Sequence, residues 1–331
     1  MNNLSDQDRF FLSINKFLST YNISLAGGHF IGEEKMNDLW IADGHCDSLG
    51  DLANKKRDLR GTANFGHWDL KKAKQANIGL QFFAAYIEEE YKPFLAGQRG
   101  LQLLEEALNF IDENPEDVFL LKSKEDLSKL GQVKQMGILI NIEGGEILGE
   151  SLFMLNLIFR LGVRSMGLTW NGRNAIADGV GESGSRGGLS RFGFKVIARM
   201  NDLGMIIDVS HLNEPGFWDV IGHSSSPVIA SHSCAYKLCN HPRNLKDEQL
   251  RALAENRGLV GVNFCPDFLC ANGRGSIDDV VRHICYIAEI AGVDTVAFGS
   301  DFDGIPIPPV GLEDASKFPL LIHKLAGAGF K

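Results

Sequence analysis

Several common protein features are scarce or missing in this chain. Proline accounts for only 10 of 331 residues, which excludes a proline-rich linker or a collagen-like chain. No apolar run approaches about 18 residues, so nothing reads as a membrane-spanning helix. The N-terminal stretch MNNLSDQDRFFLSINKFLSTYN carries charges throughout and lacks the apolar core of a secretory signal. No block of Lys and Arg occurs and the net charge is −9, which argues against nucleic acid as a partner. The six cysteines (Cys46, Cys234, Cys239, Cys265, Cys270 and Cys285) form no C-x-x-C pair. That excludes the usual zinc-finger and thioredoxin spacings and suits a reduced, cytoplasmic protein.

What is present is ordinary for a globular protein, with 44% hydrophobic and 23% charged residues. The exception is glycine, at 37 residues, which implies tight turns and close backbone approaches. A chain of this length accommodates two average domains or one large α/β barrel.

Short apolar runs alternate with longer amphipathic stretches. The runs lie at 39–45, 78–87, 136–142, 163–170, 205–211, 228–233, 259–264 and 295–302. They are too short for core helices and rich in Val and Ile, so they read as strands buried on both faces. The stretches at 101–112, 123–130, 152–161, 189–203, 214–221, 247–255, 277–290 and 315–325 read as helices. Asp247 and Ser123 stand at capping positions. Eight strand–helix units predict a single-domain (β/α)8 TIM-like barrel over 39–331, preceded by a helical extension over 1–38. The rival open sheet that binds dinucleotides usually carries G-x-G-x-x-G after its first strand. Here that strand ends in DGHCD. The glycine-rich SGSRGG at 183–188 reads as a loop.

In such a barrel, chemistry sits where the strands end. The first strand ends in His45-Cys46-Asp47, the third in Glu143-Gly144-Gly145, the fourth in Trp170-Asn171, the fifth in Asp208-Val209-Ser210-His211, the sixth in Ser231-His232-Ser233 and the eighth in Asp301-Phe302-Asp303. His45 and Asp47 are two apart and point to the same side of an extended chain, while Cys46 points away. A lone H-x-D is common, and a lone buried histidine is more often a core residue than a ligand. Three histidines and two carboxylates aimed at one rim are costly to bury unless they are paired.

The inventory fits two metals, one on His45 and Asp47 and one on His211 and His232, with Glu143 bridging them. Nitrogen and oxygen donors suit Zn2+, and Mn2+, Co2+ or Fe2+ could occupy the same set. Two such ions about 3.5–4 Å apart generate a hydroxide at neutral pH and polarise a carbonyl. That is equipment for hydrolysing an amide. Asp301 is then the candidate to move the proton, and Arg243, in HPRN, a candidate clamp on a substrate carboxylate. Asp303 is expected to orient a neighbour or to form the turn before Gly304.

The stretches DGHCDS, NIEGGE, GVRSMGLTWN, MIIDVSH, PVIASHSCAY, HPRNLKDEQL, GLVGVNF and VAFGSDFDGI together resemble the membrane (renal) dipeptidase family, in family order and over most of the chain. The resemblance implies a binuclear zinc dipeptidase acting through a metal-bridging hydroxide. It matches His45 and Asp47 to one zinc, Glu143 to the bridge, and His211 and His232 to the other zinc. It also matches Asp301 to the acid/base aspartate and Arg243 to the substrate-binding arginine. Where mammalian-type members end the fourth strand in a substrate-binding histidine, this chain has Trp170, so it resembles a bacterial branch, with Asn171 the candidate substrate donor. The resemblance further implies a homodimer and a closing C-terminal helix that this chain is expected to lack, and with no signal or lipid-attachment segment read in the sequence no membrane anchor is expected. Two rivals remain: the same metal barrel acting on another amide, such as an N-acyl amino acid or a lactam, and a catalytically silent binding protein.

Overall fold

The computed structural model describes residues 39–61, 63–182 and 184–330. The expected helical extension over 1–38 lies outside the described residues. Each of the eight apolar runs contains a strand: β1 (Ile41–Cys46), β2 (Ile78–Tyr86), β4 (Met136–Glu143), β5 (Val163–Gly167), β6 (Ile206–Asp208), β7 (Val228–Ala230), β8 (Leu259–Val262) and β9 (Val296–Phe298). One strand was not anticipated, β3 (Val118–Leu120), whose three residues are too few to carry a period. The sheet order is β2-β1-β9-β8-β7-β6-β5-β4-β3, and β2 also pairs with β4. Eight strands therefore close a ring, with β3 outside it on β4. This is a single-domain (β/α)8 TIM-like barrel. Within it the described residues group into two compact units, one of Leu49–Lys56 and Phe82–Ala230, the other of residues 39–48, Arg57–Gln81 and 231–330.

In the first unit β3 to β7 pair in parallel, with Phe119 opposite Gly137, Ile142 opposite Met166, Ser165 opposite Ile206 and Ile207 opposite Val228. All eight residues of β4 are buried, the mark of a parallel strand covered on both faces. Helices Ala96–Glu113, Leu152–Arg160, Arg191–Leu203 and Glu214–His223 make the crossovers. Their starts are written in the sequence: Ser190 accepts from the Gly193 N–H and Asn213 from the Gly216 N–H, side-chain caps of the usual kind. Ser123 caps as expected, accepting from the Asp126 N–H at 3.2 Å.

In the second unit β1 and β8 both pair in parallel with β9, Asp43 and Val262 each standing opposite Phe298. A Cβ on Gly261 or Gly299 would run into the Ser231 carbonyl, so the missing side chains let the segment after β7 lie against β8 and β9. Phe264, Phe302 and Phe318 are fully buried, their rings 5.6–5.9 Å apart. Helix Phe318–Gly327 supplies the third ring. Asp247, expected as a cap, is instead the first residue of helix Asp247–Glu255. Its carboxylate accepts from the Tyr286 hydroxyl at 2.9 Å, and Gln249 Oε1 takes the Lys246 N–H at 3.0 Å.

Candidate metal centre

The second unit carries His45, Asp47, His232 and Asp301, each at or just beyond the end of a strand, and Arg243, in the loop between β7 and helix Asp247–Glu255. His45, His232 and Asp301 each present one ligand atom, all within 4.8 Å of one another. The two imidazole rings are 3.8 Å apart. His45 Nε2 is 3.2 Å from Asp47 Oδ2 and 4.0 Å from Asp301 Oδ1. Burial pushes the Asp47 carboxyl above its usual range; His45 opposes this and the Asp301 charge adds to it. Two half-buried carboxylates beside two buried imidazoles make a site that a divalent cation would relieve.

The imidazoles are oriented from behind. Ser231 Oγ lies 2.8 Å from His232 Nδ1, which leaves Nε2 as the ring nitrogen available to a metal. Asp43, two residues before His45, is a fully buried carboxylate. Asp43 accepts from the Ser300 N–H at 2.8 Å, the Ser300 hydroxyl at 2.6 Å and Gln81 Nε2 at 2.9 Å. Burial raises its pKa and these hydrogen bonds oppose the rise. Asp43, His45 and Asp47 are alternate residues of one extended segment, and that alternation could have marked Asp43 in the sequence. Cys46, between them, is fully buried and accepts from the Ser48 hydroxyl at 3.7 Å.

The turn after β9 is unusual. Asp301 and Asp303 have φ of 61° and 67°, in the left-handed region that non-glycine residues seldom occupy. The Asp301 N–H donates to the His45 carbonyl at 3.1 Å. Asp303 is held by the Arg57 guanidinium, by the Ser48 hydroxyl at 2.5 Å and by the His67 N–H at 2.6 Å. A Cβ on Gly304 would press on both the Asp47 and the Asp301 carboxylates. Arg243 is buried, donates from Nη2 to the His232 carbonyl at 3.2 Å and stacks at 5.5 Å on Phe268.

The first unit carries Glu143, His211 and Asn171. Glu143 ends β4, and its Oε1 lies 2.9 Å from His211 Nε2. His211 Nδ1 is 2.8 Å from Asn171 Oδ1, so Asn171 accepts from Nδ1–H and leaves Nε2 as the nitrogen facing Glu143, while Ser231 engages the corresponding nitrogen of His232. His211 also has a positive φ, 66°. Trp170 stands 5.8 Å from the His211 ring and 5.1 Å from Tyr86, with Lys92 Nζ 5.1 Å from both the Tyr86 and Trp170 rings. The donor set is imidazole nitrogen and carboxylate oxygen, with the outer ring nitrogens of His211 and His232 already engaged. That chemistry fits zinc.

The model of the membrane dipeptidase family (peptidase family M19) matches residues 33–331. An uncharacterized protein from the pqqA 5' region of Klebsiella pneumoniae is 42% identical over 221 residues, 64% of this chain and 81% of the relative. An uncharacterized dipeptidase of Schizosaccharomyces pombe is 36% identical over 276 residues, 78% of this chain and 66% of the relative. The crystal structure of a metallopeptidase from Rhodobacter sphaeroides, liganded with a phosphinate mimic of the dipeptide L-Ala-D-Ala, superposes with a TM-score of 0.82. It is 29% identical, with 88% of this chain and 93% of that one covered. Among the described residues no helix is long and apolar enough to cross a membrane.

Proposed function

The chain belongs to the membrane dipeptidase family and is a metallo-dipeptidase, and from that premise we propose that it hydrolyses small dipeptides with two zinc ions. His45 and Asp47 would hold one ion, His211 and His232 the other, and Glu143 would bridge them. The observation that carries this reading is the approach of His45 Nε2 to Asp47 at 3.2 Å and of the His45 ring to that of His232 at 3.8 Å, together with the Glu143–His211 contact in the other unit. In a parallel barrel both sets stand where strands end. Bound zinc supplies Lewis acidity at the scissile carbonyl and makes water ionisable at neutral pH.

The chain's own residues do the rest. Asp301 accepts a proton from the attacking water and returns it to the departing amine nitrogen. Arg243 holds the terminal carboxylate; its burial makes the pairing strong. Asn171, whose oxygen faces His211, offers its amide N–H groups to the substrate. Charged groups that read both ends of the substrate would restrict it to two residues.

The test is a panel of L,L and L,D dipeptides, L-Ala-D-Ala among them, beside their N-acetyl derivatives, with bound zinc confirmed. The expected result is hydrolysis of the free dipeptides and little turnover of the blocked ones. No hydrolysis by the zinc-loaded protein overturns the proposal. Equal turnover of the blocked substrates assigns the barrel to another amide.

A further inference from the structure

We propose that Asn263 is the positioning residue for Asp301, holding its carboxylate through Oδ2. The proposal rests on the reading of Asp301 as the acid and base, and it adds a residue to that reading.

The placement follows from strand register. Val262 and Phe298 stand opposite each other on β8 and β9. Asn263 is the next residue after β8, and Asp301 begins the turn that follows β9. The neighbours of both, Phe264 and Phe302, pack edge to face at 5.6 Å. Each segment thus puts an aromatic ring into the core and its polar partner toward the strand ends.

Asn263 is fully buried, and its side chain has only one way to face. Its Oδ1 accepts the Cys265 N–H at 2.6 Å. A carboxamide has one accepting oxygen and one donating nitrogen, so that bond decides the flip. Nδ2 is then presented to Asp301 Oδ2 at 2.9 Å. The Asn263 backbone is also held, its carbonyl accepting from Cys234 Sγ at 3.2 Å.

The two oxygens of Asp301 therefore differ. Oδ2 is bonded to a neutral donor that cannot give up its proton. Oδ1 lies on the side of His45 Nε2, at 4.0 Å, and beside Gly304, where any Cβ would crowd it. A carboxylate held in this way keeps one orientation and does not have to rotate before it takes the proton. In the reaction, the water oxygen bonds to the carbonyl carbon and its proton passes to the Asp301 carboxylate. The same proton then moves to the amide nitrogen as the C–N bond breaks, and the carboxylate is regenerated. Asn263 keeps both its protons throughout.

Two variants test this. Asn263→Asp keeps the size and the acceptor for the Cys265 N–H but loses the donor to Asp301. Asn263→Ala loses both. Both should lower kcat on a free dipeptide about 10- to 100-fold, with KM and bound zinc within about twofold of the parent. In an Asp301→Asn background, either change should alter kcat by less than about twofold, because the two residues act as one unit. Wild-type kcat in Asn263→Asp overturns the proposal, as does a full further loss in the Asp301→Asn background or a loss of bound zinc in both variants. Should Asn263→Ala fail to fold, the isosteric Asn263→Asp carries the test alone. Wild-type turnover by Asp301→Asn overturns the acid–base reading itself, a separate result.

Discussion

His232 has little freedom of its own. Its outer nitrogen is held by Ser231 at 2.8 Å and its carbonyl by Arg243 at 3.2 Å. Arg243 thus holds the backbone of a proposed ligand besides its proposed hold on the substrate carboxylate, and the two roles separate experimentally. Arg243→Ala should raise KM for a free dipeptide roughly 10- to 100-fold, the worth of a charge-assisted hydrogen bond, while zinc content stays at the wild-type level. An unchanged KM would show that it does not touch substrate. Glu143→Ala should cost more than about 100-fold in kcat and lower bound zinc, since it removes a carboxylate that is 2.9 Å from His211. Normal turnover in that variant would remove Glu143 from the centre. His283, one of the histidines that end no strand, illustrates the opposite case. It is fully buried, accepts the Ala235 N–H at 3.1 Å through Nδ1 and donates from Nε2 to the Leu269 carbonyl at 3.0 Å. Burial lowers its pKa from 6.5 to about 4. The folded state thus binds its proton less readily than the unfolded chain, and stability is present above pH 6.5 and lost as the pH falls toward 4. His283→Gln, which can make both bonds, should remove about 2 kcal/mol of the stability lost between pH 7.5 and pH 5. Urea unfolding at the two pH values measures it.

The turn after β9 shows why strand ends and not strands hold the chemistry. β9 itself is three residues long, yet Asp301, Phe302 and Asp303 each do something different. Asp301 faces the centre, Phe302 anchors the turn among Phe264 and Phe318, and Asp303 binds Arg57 and two backbone N–H groups. Phe302→Ala should cost about 3–5 kcal/mol, the range for losing a buried aromatic ring. The change in urea midpoint at constant slope reads it. Asp301 and Asp303, in the apolar run 295–302 and its tail, were legible as a polar close to a buried strand, Asp301 as a candidate proton carrier and Asp303 as a residue that orients a neighbour. The same sign stands at Asn263 after β8, where an asparagine after LVGV suggests a turn as readily as a contact. Asp43 was hidden differently: it lies within β1, and only its bonds to Ser300 and Gln81 explain a buried carboxylate there. β3 left no trace in the sequence, because pairing with β4 makes it a strand and no local pattern does.

The barrel was readable because eight buried runs separated by amphipathic stretches leave few other topologies, and parallel crossovers require helices between strands. The order β2-β1-β9-β8-β7-β6-β5-β4 is the sequential one expected of such a ring. His45 and Asp301, far apart in sequence, come together because β1 pairs with β9. Removal of the metal by a chelator should abolish activity, and zinc should restore it, if the donors fit as proposed. The most direct measurement is a titration of the metal-free protein with zinc, following dipeptide hydrolysis and bound metal together. Activity that climbs to its maximum as about two zinc ions bind per chain is the predicted result. Full activity without metal, or a maximum already reached at one ion per chain, would contradict it.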